Sequence, residues 1–238
     1  MAGAIWAAPA PPSPEFRVPP AVAAVIAAIE TDVIRSRILP RTRLIEDHLM
    51  EDYGAKRHVI RAALTELERL GVVIKPPHRG AELRWFDAPD LARLYATREV
   101  LHRAAVLMMR LPPSPAAMDA LEAVREQHAA ASAQLDLIGI HRTNMAFHRL
   151  FFGLCDNHYL ADTIRLYDWL SFPARAYGAA DPAALALACE EHRAMVQAAR
   201  DGDATGLSRL AVVHMDRARR IYEAKFLNGP SPDQPSGK

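Results

Sequence analysis

The sequence is poor in cysteine and in net charge, and it has no long apolar run. Cys155 and Cys189 are its only cysteines, and both stand in apolar helical patterns. This favours two core thiols in a reducing compartment and argues against a structural disulfide. Residues 1–20, rich in Ala and Pro, lack the basic start of a secretory signal and the apolar length of a membrane span. We therefore expect a cytoplasmic protein with no membrane partner.

The net charge of +1 says little about partners until it is divided along the chain. Residues 19–85 carry 11 Lys and Arg against 9 Asp and Glu, an excess of two positive charges, whereas residues 87–228 carry 16 against 17. The small basic excess therefore lies in the first third. Half of the residues are apolar, which is enough for a sizeable core. Residues 1–18 and 229–238 are predicted to be disordered tails.

Residues 19–86 show the pattern of a winged helix-turn-helix domain. Apolar residues at helical spacing predict one helix that ends before Pro40 and a second that Gly54 stops. A third helix follows directly after the turn at Gly54, and its apolar face includes Leu64 and Leu67. Two strand-like runs, 71–75 and 81–85, flank a Pro-rich and Gly-containing turn and predict a hairpin, the wing.

The third helix combines an apolar face with a basic one. Arg57 and Arg61 are four residues apart and so project from the same side, and arginine is the commonest reader of guanine edges. In a helix-turn-helix the N-terminal residues of the second helix of the motif lie against the bases, and a wing tip can reach phosphate or a groove edge. The residues that we expect to contact operator double-stranded DNA are Lys56, Arg57, His58, Arg61, His78, Arg79 and Gly80.

This first domain resembles the winged-helix domain of GntR-type bacterial transcription regulators. The matching residues are Ile34, Leu39-Pro40, Leu44, Glu46, Leu49, Gly54, Arg57, Arg61-Ala-Ala-Leu64, Leu67, Leu70-Gly71-Val72 and Pro77-His-Arg-Gly80. The family usually has Ser at the position of Lys56, and its loss removes a helix N-cap worth about 1 kcal/mol. Because Lys56 adds a phosphate-seeking charge instead, we expect this chain to prefer an operator sequence of its own.

Residues 87–228 predict an all-α bundle, so the fold class is mainly α, a winged helix-turn-helix domain followed by six helices. Strand alternation is almost absent, and apolar helical runs are broken by proline, glycine, asparagine and aspartate. The predicted helices span 88–110, 115–133, 137–155, 158–177, 182–200 and 204–226. A bundle of this kind can hold a ligand pocket or a metal between facing helices.

Four residues of the bundle are candidate ligands for a divalent metal ion. Asn144 and His148 are one turn apart and share a helix face, and His192 and His214 stand on the fifth and sixth of its helices. Imidazole is the commonest metal ligand, and each of these residues alone would more often be a surface or core side chain. Without a thiol ligand, the set favours zinc, nickel or another first-row ion over copper(I).

The bundle resembles the FCD type of ligand-binding domain in the FadR branch of the same regulators, where an Asp-x-x-Phe-His motif and two later His surround a metal. The matching pieces are Asn144-Met-Ala-Phe-His148, Glu191-His192 and His214. Asn stands where Asp is usual, so the resemblance implies a weaker metal site that keeps its full positive charge. It also implies that Arg98 binds the carboxylate of a small effector. His102, one turn further along the same face where the family commonly has Glu, and Arg175 are further candidates for effector binding, and a helix-surface position is the alternative for His102. Glu99, Arg103, Glu190 and Glu191 are expected on solvated faces.

These observations predict a homodimeric transcription regulator, acting as a repressor, whose affinity for operator DNA is controlled by a carboxylate metabolite. A metal-dependent hydrolase is the alternative, because three His around a metal with an open position can also activate water. The sequence pairs no Glu with these His in the His-Glu-x-x-His arrangement, and an enzyme has no use for a winged domain. A third hypothesis is a metal-free pocket in which His148, His192 and His214 contact the effector directly.

Overall fold

A computed structural model describes residues 18–177 and 182–228 of the chain. The described part divides into two compact units, the first ending at Arg84 and the second beginning at Trp85. The predicted disordered tails, 1–18 and 229–238, lie outside the described residues apart from Val18.

The first unit is the winged helix-turn-helix domain that the sequence predicts. Its elements are α1 (Pro20–Ile34), α2 (Glu46–Tyr53), α3 (Arg57–Arg69) and the antiparallel strands β1 (Val73–Ile74) and β2 (Glu82–Leu83). The apolar face of α1 is buried against α3, with Ile26 and Val33 fully enclosed. Burial of this shared face, roughly 1.5–3 kcal/mol for each large aliphatic side chain, holds the two helices together.

The tight turn between α2 and α3 depends on Gly54. This residue ends α2 in the left-handed region, with φ of 61°. A Cβ built there would meet nothing within 4 Å, so the requirement for glycine comes from the backbone conformation and not from crowding. The turn therefore brings the N-terminus of α3 directly after α2.

The wing strands are shorter than the runs 71–75 and 81–85 from which they are predicted. The segment that precedes α2 takes part of the backbone hydrogen bonding, since Leu44 N donates to Ala81 O at 2.8 Å and Leu83 N donates to Thr42 O at 3.0 Å. Arg43 also donates from Nε and Nη2 to the carbonyl oxygen of Arg79. Strand β2 of the wing is thus hydrogen-bonded to the α1–α2 connection as well as to β1.

Every secondary-structure element in the described residues of the second unit is a helix. Its elements are α4 (Ala88–Leu107), α5 (Pro115–Ala133), α6 (Leu137–Gly153), α7 (His158–Leu170), α8 (Phe172–Arg175), α9 (Pro182–Asp201), α10 (Ala204–Tyr222) and a π-helical turn (Glu223–Leu227). The six predicted helices are present, but the one predicted over 158–177 is divided into α7 and α8. Pro173 cannot donate the backbone hydrogen bond that continues a helix, which accounts for the break.

The core of the second unit is rich in phenylalanine. Phe147, Phe151 and Phe152 of α6 are almost completely buried, and Cys155 lies beside them in the same core. Cys189 is only half-buried, which corrects the expectation of a core thiol, because it lies at the edge of the buried face of α9.

The two ends of the second unit are joined by one buried contact. The hydroxyl of Tyr222, at the end of α10, accepts a hydrogen bond of 3.1 Å from the backbone N–H of Phe86, and the two rings meet edge to face. Among the described helices, none has both the length and the apolar character that crossing a membrane requires.

Candidate functional site

The predicted DNA-binding residues of α3 lie together on an exposed surface. Lys56, Arg57, His58 and Arg61 are all exposed, and Lys56 precedes the helix without a side-chain capping bond. Carboxylates of α2 engage the two arginines. Arg57 Nη1 is 3.3 Å and Arg61 Nε is 2.9 Å from Oε2 of Glu46, and Arg57 also pairs with Asp47. These exposed ion pairs are weak in water, so phosphate or a base edge can replace the carboxylates.

The predicted wing contacts also lie on the surface. His78, Arg79 and Gly80 are exposed, and both His78 and Gly80 have left-handed backbones, with φ of 62° and 74°. A Cβ on Gly80 would meet nothing within 4 Å, so the tight tip is the reason for glycine here. The sharp turn holds the Arg79 side chain at the end of the wing.

The second unit contains a cavity of about 720 Å³, a volume that includes its opening to solvent. Its polar wall residues are Arg98, His128, His141, Asn144, His148, Arg175, His214 and Arg217. Three predicted ligands, Asn144, His148 and His214, thus share one cavity with two predicted effector residues, Arg98 and Arg175.

Three histidines from three helices converge at one point. The Nε2 atom of His214 on α10 is 3.1 Å from Nε2 of His148 on α6 and 3.1 Å from Nε2 of His192 on α9. The ligand atoms of these three residues all lie within 4.8 Å of one another, and all three side chains are buried. Facing helices of the bundle therefore bring together the three imidazoles that the sequence singles out.

Burial keeps these imidazoles neutral. It is the largest cause that lowers the pKa of His214 to about 4 and that holds the pKa of His148 and His192 well below the usual range. Neutral imidazole is the form that binds a metal through a free lone pair.

The cluster fits a first-row metal ion. Nitrogens about 2.0–2.1 Å from one tetrahedral zinc ion lie roughly 3.3–3.4 Å apart, so the observed distances of 3.1 Å need only a small adjustment to hold the ion. Lone pairs that face one another in a buried site repel unless a proton or a cation lies between them. The outer Nδ1 atoms of His148 and His192 are buried without a hydrogen-bond partner among the described residues. Half-buried Asn144 lines the same cavity.

Glu191 contacts the imidazole cluster, although the sequence pattern places it on a solvated face. We expected it on a solvated face, but it is buried, and its Oε2 accepts a hydrogen bond of 2.8 Å from Nδ1 of His214. It also pairs with Arg217. A carboxylate in this position keeps the proton on Nδ1 and leaves Nε2 free for a metal. Its position directly before His192 is the one sequence feature that could have placed Glu191 near the imidazole cluster. The contact itself arises from the packing of α9 on α10.

Arg98 is buried in the cavity wall and is partly neutralised within the protein. Its Nη2 donates to Oδ1 of Asp168 on α7 over 2.8 Å, whereas Nε and Nη1 are buried with no hydrogen-bond partner among the described residues. Arg175 donates to Ser171 Oγ and to the backbone oxygen of Asp168. No pattern in the sequence indicates Asp168, since only the packing of α7 on α4 places it beside Arg98.

His102 does not lie on the helix surface. It is buried against the ring of Phe152, and its Nδ1 is 3.4 Å from the carbonyl oxygen of Ala211. Burial also holds its pKa well below the usual range. Among the described residues that line the cavity His102 is not included, so its predicted contact with an effector would require a rearrangement.

Family models match both units of the chain. The model for bacterial regulatory proteins of the gntR family matches residues 21–83, and the FCD domain model matches residues 93–217. The second match alone covers more than half of the 238 residues. Among curated proteins, none shows significant sequence similarity to this chain.

Solved structures share the fold. Escherichia coli McbR/YncC is 19% identical, with a TM-score of 0.71 over 88% of this chain and 100% of its own. A putative transcriptional regulator GntR from Rhodococcus sp. RHA1 is 16% identical, with a TM-score of 0.69 over 86% of this chain and 98% of its own. At these identities the likeness concerns the fold alone. The two domain matches, in this order along the chain, show that it belongs to the gntR family of bacterial regulatory proteins and is a DNA-binding transcription regulator with an FCD domain.

Proposed function

We propose that this regulator is a repressor that binds operator DNA as a homodimer and is released by a small carboxylate effector in the FCD cavity. The convergence of three neutral imidazoles, two of which (His148 and His214) line one cavity with Arg98, carries the proposal. Such a wall offers a metal site and a carboxylate-binding guanidinium to the same ligand.

The DNA-binding half of the proposal rests on the exposed basic surface of α3 and the wing. Lys56, Arg57, His58 and Arg61 would enter the major groove with the N-terminus of α3. His78, Arg79 and Gly80 would reach the backbone or an adjacent groove from the wing. Operator double-stranded DNA is thus the expected macromolecular partner.

The effector half rests on unmatched polar groups. Arg98 has two buried N–H groups, at Nε and Nη1, without an acceptor in the described structure. A carboxylate could accept from one of these nitrogens together with the second N–H of Nη2, which lies on the same edge of the guanidinium, and leaving buried donors unmatched is costly. Arg175 lines the same cavity and adds a second positive charge.

The proposed metal site rests on the imidazole cluster. His148, His192 and His214 would hold a divalent ion, zinc or nickel, and Asn144 could add its side-chain oxygen. When bound, the ion supplies uncompensated positive charge that attracts an anionic effector. Glu191 holds His214 in the ligand tautomer, and the buried aromatic rings around the cluster limit access of water.

The homodimer rests on an exposed apolar surface of α4 and α7. These helices pack side by side in opposite directions, since Arg98 meets Asp168 and Met108 meets Asn157. Their exposed apolar side chains are Val100, Leu107, Met108, Tyr159 and Leu166. We define these five residues as the α4–α7 surface. A second copy of the chain is the proposed occupant, because regulators of this family bind DNA as dimers and operator symmetry mirrors protein symmetry.

The hydrolase alternative has less support. The carboxylate that contacts the imidazole cluster, Glu191, is held by His214 and Arg217 and is therefore not available as a general base.

Regulation by an effector requires that the effector favour one arrangement of the DNA-binding units over another, since a ligand with equal affinity for both arrangements shifts nothing.

A two-stage experiment tests the proposal. Operator fragments are first selected from a random DNA pool with the zinc-loaded, full-length protein. The affinity for a selected fragment is then measured by fluorescence anisotropy with and without small carboxylates. We expect one class of carboxylate to lower the DNA affinity at least about tenfold, a coupling free energy of about 1.4 kcal/mol. DNA binding that no carboxylate changes, although one binds the cavity, would contradict the regulatory role.

A further inference from the structure

His128 on α5 is a cavity residue that neither the metal cluster nor the Arg98 site uses. Its side chain is only 2% exposed and lines the same cavity as His148 and His214. Its ring lies edge to face against His192, with 4.7 Å between ring centroids. Among the described residues, the group of ligand atoms within 4.8 Å of one another contains three histidines and not His128, so this residue is not in place to share their ion.

The hydrogen bonds around His128 determine which ring nitrogen carries the proton. The hydroxyl of Thr143 on α6 donates to the backbone oxygen of Gly139 over 2.6 Å. Because that proton is used, the Thr143 oxygen acts as the acceptor in its 3.1 Å contact with Nδ1 of His128. Nδ1 therefore carries the N–H, and Nε2 presents a bare lone pair.

The Nε2 lone pair of His128 is buried and unmatched. It has no hydrogen-bond partner among the described residues, and a buried acceptor without a donor costs free energy. The unmatched Nε and Nη1 groups of Arg98 are donors in the same cavity wall. A plain carboxylate has only acceptors, so it can satisfy Arg98 but cannot satisfy His128.

The charge of the cavity determines which kind of donor suits His128. The guanidiniums of Arg98, Arg175 and Arg217 line the cavity. Two buried carboxylates, Asp168 and Glu191, pair with Arg98 and Arg217. Among the described residues of the cavity the guanidiniums outnumber these carboxylates, so an ammonium group would be repelled more than a neutral hydroxyl.

We propose that His128 is a specificity-determining residue whose Nε2 accepts a hydrogen bond from a hydroxyl group of the effector, so that the regulator prefers hydroxy-carboxylates over the same acids without the hydroxyl. The inference rests on the proposed effector site and names the chemical class of its ligand. Sites built to hydrogen-bond a hydroxyl discriminate strongly against analogues that lack it, because the buried acceptor is then left unmatched.

Matched pairs of acids test this inference on the full-length protein. Binding of malate against succinate, and of lactate against propanoate, is measured by isothermal titration calorimetry with zinc and again after EDTA treatment. The EDTA arm separates a contact with His128 from chelation of the hydroxyl by a metal. We expect the hydroxylated member of at least one pair to bind at least about tenfold tighter in both arms.

Two variants and one control assign the preference to the imidazole. His128→Phe and His128→Leu remove the acceptor with different side-chain volumes, so that one can replace the other if it does not fold. In either, the preference should fall to within about twofold. His141→Phe is the matched control, since His141 also lines the cavity and lies edge to face on Phe172. It should keep the preference.

The outcomes separate this inference from the proposed function. Equal binding within each pair, or a preference that persists without His128, overturns the role of His128 while Arg98-dependent binding of carboxylates would still support the effector site. If no member of either pair binds the wild-type protein in either arm, the carboxylate effector is contradicted and the inference fails with it.

Discussion

Arg98 of α4 and Asp168 of α7 form a buried ion pair, with 2.8 Å between Nη2 and Oδ1 and side chains that are 3% and 8% exposed. An anion that binds the free edge of Arg98 would share this guanidinium with Asp168. Both helices also carry residues of the α4–α7 surface. The ion pair therefore connects the proposed effector site with the proposed dimer interface.

Removal of one partner of this pair should strongly destabilise the protein. Asp168→Asn leaves the buried Arg98 charge uncompensated, and we expect the free energy of unfolding in urea to fall by about 3–5 kcal/mol. The double variant Arg98→Met with Asp168→Leu should recover most of the loss. Arg103→Ala provides the control, because its pair with Glu99 on the same helix is half-exposed and should contribute less than about 1 kcal/mol. A similar loss of unfolding free energy in Asp168→Asn and in Arg103→Ala would contradict this account.

Base recognition by α3 predicts an effect confined to its N-terminal arginines. Arg57→Ala and Arg61→Ala should each weaken binding to a selected operator by about 1–3 kcal/mol and relax its sequence preference. Arg69→Ala is the control, since this exposed arginine ends the same helix and pairs with Glu66. Operator affinity is measured by anisotropy at fixed salt. Unchanged affinity in both N-terminal variants would remove α3 from the interface.

A carboxylate at position 144 should strengthen the proposed metal site. Asn144→Asp restores a negative ligand beside three neutral imidazoles, and we expect zinc affinity, measured by competition with a chromogenic chelator, to rise roughly tenfold or more. Asn157→Asp makes the same chemical change at the N-cap of α7, where either residue can cap the helix. That control should leave zinc affinity unchanged. Tight binding of zinc that persists in His192→Ala would place the ion elsewhere.

Buried imidazoles predict a fold that is sensitive to acid. Burial is the largest cause that lowers the pKa of His128 and His214 to about 4, while unfolded histidine titrates near 6.5. Between these values the unfolded chain binds protons that the folded chain does not, so the free energy of unfolding falls as the pH falls through this window. Each imidazole can account for on the order of 3 kcal/mol.

Urea unfolding of EDTA-treated protein at several pH values between about 7 and 4.5 measures this loss. The variant His128→Leu should show a shallower dependence on pH, because it lacks one of the buried imidazoles whose pKa is lowered. An unfolding midpoint that stays constant across the window would show that these imidazoles titrate alike in the folded and unfolded states.

A charge on the α4–α7 surface should disrupt the proposed dimer. Leu107 is 78% exposed, and Leu107→Glu would bury a carboxylate in the interface. Analytical ultracentrifugation should then show a monomer, and operator affinity should fall because the two half-sites are no longer bound together. Leu187→Glu, at a leucine of α9 that is 51% exposed, is the control and should remain dimeric. A dimer that survives Leu107→Glu would place the interface on another surface.

Local sequence patterns predicted most of the fold and part of the site. Helical periodicity located α1 to α3 and the six long helices, because each depends on residues close in sequence. Spacing and resemblance also indicated His148, His192 and His214. Glu191 and Asp168 were not predicted in their observed roles, since each becomes important only through a helix that packs against its own.

The tautomer of His128 could not be predicted either, because it depends on a hydroxyl proton that a carbonyl of the neighbouring helix holds. The wing strands were overestimated for a similar reason. Backbone groups of Thr42 and Leu44 compete for the hydrogen bonds that a longer hairpin would need, and such competition between distant segments leaves no local pattern in the sequence.

The hydrogen bond between Tyr222 and Phe86 gives the last long helix a mechanical role. His214 lies on α10 two turns before Tyr222, so a ligand that shifted this helix would also act on the amide of Phe86 through this hydrogen bond. Phe86 stands two residues after the DNA-binding unit ends. If effector binding moves α10, this hydrogen bond would connect the cavity with the segment that follows the DNA-binding unit, and Tyr222→Phe would remove the bond without changing a residue that lines the cavity.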